Sequence, residues 1–307
     1  MSEKPRVGFI GLGGMGLPMA ERVLAAGFDL VTTFHTRREP AGQLASKGAR
    51  IVASPEEIAR AAEIIVTIVP ADRELMEVVT GHHGLARSLT QGQILIEMTT
   101  ALPATVREIE RLLAPAGVGV LDAPVSGGVT GAVNGTLTIM AGGEKALLDR
   151  CRPLLEAMGS KIVHVGGVGQ GKVVKMVNQM MAAVHILTVG EAFALGVRCG
   201  ADPATLYEVI RDSSGSSRMM EARMPMLRSG AFDPGFKLDL MKKDVNLALD
   251  SARAEGVPML LGSVAGQILS AASAAGNGSA DFAIAAQFLA DLAGVRLSTQ
   301  KPEELRP

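Results

Sequence analysis

Residues 7–16, VGFIGLGGMG, constrain this chain more than any other segment: a short apolar strand runs into Gly11, Gly13 and Gly16 at the spacing G-x-G-x-x-G. Each glycine of such a turn has its own reason. The first makes the tight turn, the second lets backbone N–H groups approach a pyrophosphate, and the third lets the next helix pack close to the strand. Leu12, Gly14 and Met15 complete the loop, and residues 17–26 read as the helix, with Pro18 tolerated in its first turn and Gly27 ending it. A helix N-terminus offers unpaired N–H donors and partial positive charge, which suits a phosphate. Strand, glycines and helix in this order predict dinucleotide binding.

The chain has 307 residues, enough for two domains, and a net charge of −1, which gives no electrostatic reason to expect nucleic acid or a charged membrane surface. Aromatics make up 3%, with no Trp and one Tyr, so the core must be aliphatic and filled with Met. Cys151 and Cys199 fall in no metal or redox spacing, which suits a reducing compartment. The first residues, MSEKPR, lack the apolar stretch of a signal peptide, and the expectation is a cytoplasmic protein. His82 and His83 are adjacent, and His164 and His185 have no acidic or Cys companions at metal spacing, so no metal is expected.

Apolar, β-branched runs at residues 30–34, 64–69, 94–98 and 118–121 alternate with helical stretches, the βαβ pattern of a parallel, doubly wound α/β sheet. Residues 137–140 and 162–165 add two strands at its far edge. From Lys172 onward the pattern is helical only, in a long segment to about Val197 and then near 203–212, 218–228, 238–255, 258–275 and 282–293. This predicts a dinucleotide-binding domain over 1–165 and an all-helical domain for substrate and dimerisation over 166–307. The long helix is apolar nearly all round, yet His185, Glu191 and Arg198 interrupt it, which argues against a membrane span. At 1.5 Å per residue its roughly 25 residues extend about 40 Å, more than a small helical domain covers. A homodimer or homotetramer is therefore expected.

Two further segments carry chemistry. DAPVSGG follows a strand and places Ser126, Gly127 and Gly128 at the carboxyl end of the sheet, where ligands bind; consecutive N–H groups and a hydroxyl there form either a nest for a carboxylate or an ordinary turn. In GQGKVVKMVNQ, Lys175 and Asn178 are three apart and share a helical face that Lys172 is placed to join. The apolar neighbours Val174, Met176 and Val177 set Lys175 against a wall. Burial beside a cationic nicotinamide would lower such an ammonium's pKa and make it a general acid and base.

Together, GFIGLGGMGLPMA, DAPVSGG, GQGKVVKMVNQ and the late MKKDVNLAL resemble the motifs of the β-hydroxyacid dehydrogenases, the group of 3-hydroxyisobutyrate dehydrogenase and tartronate semialdehyde reductase, over residues 6–293. The resemblance implies a Rossmann N-terminal domain, an all-α C-terminal domain, and NAD(P)-dependent interconversion of a short 3-hydroxy acid and its semialdehyde. It also implies Lys175 as the catalytic lysine, Asn178 as its substrate-binding helper, and Ser126, Gly127 and Gly128 as the substrate carboxylate loop. Val69, Pro70, Thr100 and Lys243 would lie on the cofactor. Two departures stand out. Where cofactors without a 2′-phosphate need an acidic residue, the chain reads Thr33, Phe34, His35, Thr36, Arg37, Arg38; this favours NADP(H) over NAD(H), with His35, Arg37 and Arg38 at the cofactor. Arg218 stands where relatives often carry an aromatic residue, and is expected at the substrate. The alternatives are a glyoxylate or succinic semialdehyde reductase, and a non-catalytic NAD(P)-binding scaffold on the same fold; retention of Lys175 argues against the latter.

Overall fold

A computed structural model describes residues 4–298 of the chain. Its first half alternates strand and helix: β1 (Val7–Ile10), α1 (Gly16–Ala25), β2 (Leu30–Thr32), α2 (Glu39–Ala45), β3 (Arg50–Ile51), α3 (Pro55–Ala61), β4 (Ile64–Thr67), α4 (Asp72–Thr80), β5 (Ile94–Glu97), α5 (Pro103–Leu113) and β6 (Gly119–Asp122). It continues through β7 (Val125–Ser126), α6 (Gly128–Asn134), β8 (Thr138–Gly142), α7 (Lys145–Met158) and β9 (Lys161–Gly166). Every residue of β1, β4 and β5 is buried, as expected for parallel strands covered by helices on both faces. The strands order as β3-β2-β1-β4-β5-β6-β8-β7, with β9 against β8. The order reverses between β1 and β4, where open α/β sheets bind their ligands.

Strand register makes that edge useful. Ile10 pairs with Thr67, Thr67 with Glu97 and Glu97 with Asp122, so four strands end in one row and the turns after them leave from the same edge.

Beyond β6 the sheet departs from the parallel pattern. β8 runs antiparallel to both β6 and β7, and β9 runs parallel to β8 at the far edge. β3 and β7 escape a reading of apolar runs because each is two residues long; β7 is the start of the Ser-Gly-Gly segment itself.

The second half is helical: α8 (Gln170–Arg198), α9 (Pro203–Arg211), α10 (Arg218–Ser229), α11 (Leu238–Ala254), α12 (Leu260–Ala272) and α13 (Ile284–Leu292). Side chains at N-caps fix two of these starts: Asp202 accepts the Thr205 N–H and Ser217 accepts the Met220 N–H. The core of this unit is aliphatic and Met-filled, with Ile186, Met220, Met224, Met241 and Leu269 in one buried cluster with Phe193 and Phe282. Tyr207, the one tyrosine of the chain, packs against it from α9. α8 is long and apolar enough to cross a bilayer by length and composition, but Ala183, Ile186, Leu187 and Phe193 belong to this protein core. Val174, Val177, Met181 and Leu195 on the same helix are exposed.

The two compact units divide between Lys175 and Met176, later than the boundary after residue 165 that the change of pattern suggests. The reason lies in side chains. The first turn of α8 is hydrogen-bonded into the sheet: Asp122 accepts the N–H groups of Gly169 and Lys172, each at 2.9 Å, and Lys172 reaches Glu97 and Thr99.

Candidate functional site

The glycine turn after β1 is built as its spacing predicts. Gly11 has φ +102°, and a Cβ there would lie 1.9 Å from the Ile68 carbonyl oxygen; at Gly16 it would lie 1.8 Å from that of Gly11. Both positions are closed to any other residue. A Cβ on Gly13 would meet nothing within 4 Å, so this position needs no glycine for packing within the chain. Its open, exposed face at the N-terminus of α1 is the approach a pyrophosphate requires. Leu12 and Met15 turn the other way and pack on the sheet core. The residues present therefore fit a dinucleotide.

Neighbouring turns complete the edge. At the end of β2, the Thr32 hydroxyl donates to the Phe9 carbonyl at 2.8 Å, tying that strand end to β1. Phe34, His35, Arg37 and Arg38 then run exposed into α2, with the Arg38 guanidinium 5.6 Å from the centre of the Phe34 ring. After β4, the Val69 N–H donates to the Thr99 hydroxyl at 3.0 Å, holding Val69 and Pro70 beside the turn that carries Thr99 and Thr100. Ser126 ends β7 half-buried, and Gly127 and Gly128 follow with φ +138° and +62°, a backbone other residues rarely adopt. A Cβ on Gly14 would be 4.0 Å from Val129, so the glycine turn and the Ser126–Gly128 turn adjoin.

Under this edge lies a charged cluster that sequence reasoning missed. Lys172 does not share an open face with Lys175. Its ammonium is buried, paired with the Glu97 carboxylate, and donates to the carbonyls of Glu97 at 3.0 Å and Thr99 at 2.7 Å. Glu97 also accepts the Thr99 N–H at 2.7 Å. Burial pushes the Asp122 carboxyl above the usual carboxylate range, against the opposing pull of Lys172 and of the Gly169 and Lys172 N–H groups. The only sequence signal for this cluster was a charge ending two otherwise apolar strands.

Lys175 follows one turn later on α8 and is 7% exposed. In the helical unit, Asn178 is half-buried and donates to the Gln179 side-chain carbonyl at 3.2 Å. Gln179 in turn donates to Asp244 at 2.7 Å, and Asp244 pairs with Lys243 at 3.0 Å. Asn178 and Lys243 thus belong to one network whose middle members, Gln179 and Asp244, were not anticipated. Arg218 belongs to neither network; it is exposed as the first residue of α10.

Comparison with known proteins supplies the remaining context. Residues 6–166 match the NAD-binding domain of 6-phosphogluconate dehydrogenase, and residues 169–289 match the NAD-binding domain of NADP-dependent 3-hydroxyisobutyrate dehydrogenase. The chain is 35% identical to 2-(hydroxymethyl)glutarate dehydrogenase of Eubacterium barkeri, over 97% of this chain and 99% of that protein. It is 35% identical to 2-hydroxy-3-oxopropionate reductase of Escherichia coli, over 95% of this chain and 100% of that protein. Among solved structures, 3-hydroxyisobutyrate dehydrogenase of Mycobacterium tuberculosis with L-serine superposes with a TM-score of 0.85 at 31% identity, covering 93% of this chain and 99% of that one. Two family domains in tandem over nearly the whole length, on a sheet edge shaped for a dinucleotide, leave one assignment: the chain belongs to the β-hydroxyacid dehydrogenases, NAD(P)-dependent oxidoreductases that act on the hydroxyl groups of hydroxy acids.

Proposed function

We propose that the protein interconverts a short 3-hydroxy acid and its semialdehyde, with Lys175 as the proton carrier and NADP(H) as the preferred cofactor. The observation that carries this reading is the near-complete burial of the Lys175 side chain on the first turns of a helix hydrogen-bonded to the carboxyl edge of the sheet. An amine out of water and near the cofactor edge is placed for acid–base work. When bound, the nicotinamide cofactor would supply the hydride for the aldehyde carbon. The Lys175 ammonium hydrogen-bonds the aldehyde oxygen, offsets its developing negative charge and delivers the proton that completes the alcohol. In the oxidation direction the neutral amine takes that proton back. Ser126 and the N–H groups of Gly127 and Gly128 hold the substrate carboxylate, while Asn178 and Arg218 contact the rest of the substrate. The names of two relatives, a hydroxymethyl acid dehydrogenase and a 3-oxo acid reductase, fit this substrate class.

Gly11–Gly16, Val69, Pro70, Thr100 and Lys243 would hold the dinucleotide, with His35, Arg37 and Arg38 at the 2′-phosphate. Absorbance at 340 nm across small hydroxy acids and semialdehydes, with each cofactor in turn, tests the reading; no turnover with any 3-hydroxy acid or semialdehyde would refute it. Exposed Val174, Val177 and Met181 on α8 and Leu260, Leu261 and Val264 on α12 support assembly of at least two copies, which sedimentation velocity checks. Cys151 is buried with its thiol pushed up to about 12, and Cys199 is free and exposed; thiols without a disulfide support a cytoplasmic location.

A further inference from the structure

We propose that Lys172 is a positioning residue for the reaction, whose buried ammonium locks the turn after β5 and the first turn of α8 into one fixed arrangement and thereby aims Lys175. The inference rests on the reading of Lys175 as proton carrier. Lysine is among the residues least often fully buried, and at 1% exposure its charge must be matched. Here the matching groups are the Glu97 carboxylate and the carbonyls of Glu97 and Thr99. Two of the ammonium's three N–H donors go to those carbonyls, and the paired carboxylate supplies the opposing charge.

Such a pair adds little net stability over apolar side chains of equal volume. What it adds is direction. The Lys172 side chain ties α8 to β5, while the Lys172 and Gly169 N–H groups tie it to Asp122 at the end of β6. Two attachments to different strands fix both the position of the helix and its rotation about its own axis. Lys175, three residues later and about 60° round the helix, is set by that rotation. The arrangement extends to the cofactor side as well, because the Thr99 hydroxyl, on the turn held by Lys172, accepts the Val69 N–H.

The test is the double variant Lys172→Met with Glu97→Gln, which removes both charges together at nearly constant volume. Measured beside it are urea unfolding, steady-state kinetics, NADPH affinity from cofactor fluorescence, and Lys175→Ala as reference. The expected result is an unfolding midpoint close to that of the parent, a kcat lower by about ten- to hundredfold, and a substrate KM changed far less. Parental midpoint with parental kcat overturns the proposal. Full turnover by Lys175→Ala overturns instead the reading on which it rests. Should the double variant not fold, Thr99→Val decides: it removes the acceptor for Val69 and should weaken NADPH binding by about two- to tenfold, with Thr99→Ser restoring it. Unchanged affinity and kcat in Thr99→Val overturn the proposal.

Discussion

The Asp122 carboxylate accepts the backbone N–H of Lys172 at 2.9 Å, so the last residue of β6 caps the first turn of α8 from inside the sheet. Because burial raises the Asp122 pKa, the folded protein holds a proton on this group at pH values where the unfolded chain has released it. Its contribution to stability is present in full below the ordinary Asp range and is lost as pH rises through the raised folded value. The stability difference between the parent and Asp122→Asn, followed by urea unfolding at several pH values, should therefore favour the parent most at the acidic end and shrink with rising pH. A difference independent of pH would contradict the raised value.

Lys175→Ala should leave NADPH binding intact, because the proposed reading seats the pyrophosphate on the glycine turn and not on α8. Turnover should fall by about 10² to 10⁴, the usual worth of positioned acid–base catalysis. Fluorescence titration and single-turnover hydride transfer separate the two effects. A variant that binds cofactor and turns over within a few-fold of the parent would remove Lys175 from the mechanism.

Gly11→Ala and Gly13→Ala should fail in opposite ways. At Gly11 the new methyl collides with the Ile68 backbone, on a positive φ, and the fold should lose more than about 1 kcal/mol. Gly13→Ala has room within the chain, so its melting temperature should stay near the parent's while its NADPH dissociation constant rises. Equal losses of stability would show that Gly13 is also a packing glycine.

Replacing Arg37 and Arg38 together by Ala should lower the ratio of kcat/KM for NADP to that for NAD, as each arginine offers charge-assisted hydrogen bonds to a 2′-phosphate. A roughly tenfold fall corresponds to about 1.4 kcal/mol. An unchanged ratio would return both side chains to the role of solvated loop charges.

The sheet edge was legible in the sequence because each of its parts is local. The glycine spacing, the Ser-Gly-Gly turn and the β-branched runs are all short-range signals, and the parallel sheet follows from their alternation. The buried cluster of Glu97, Asp122 and Lys172 was not legible, because it joins residues 50 to 75 positions apart, and only strand register brings Glu97 opposite Asp122. Lysine at helical spacing reads as an exposed or shared face until its partner is known. The network from Asn178 to Lys243 was half visible: both ends stood in recognisable motifs, but Gln179 and Asp244, which join them, carry no signal apart from their neighbours.

The chain has one tyrosine, Tyr207, and no tryptophan, and Tyr207 packs against the core of the helical unit. Its ring is therefore a natural optical label for one half of the molecule. Near-ultraviolet circular dichroism and intrinsic fluorescence excited at the phenol band will follow the melting of the helices and stay almost blind to the sheet. Reduced cofactor, which the proposed reading seats at the glycine turn, would glow without indole interference and report on the other half. Comparing the two signals during unfolding tells whether the halves come apart together or in sequence, with no label introduced.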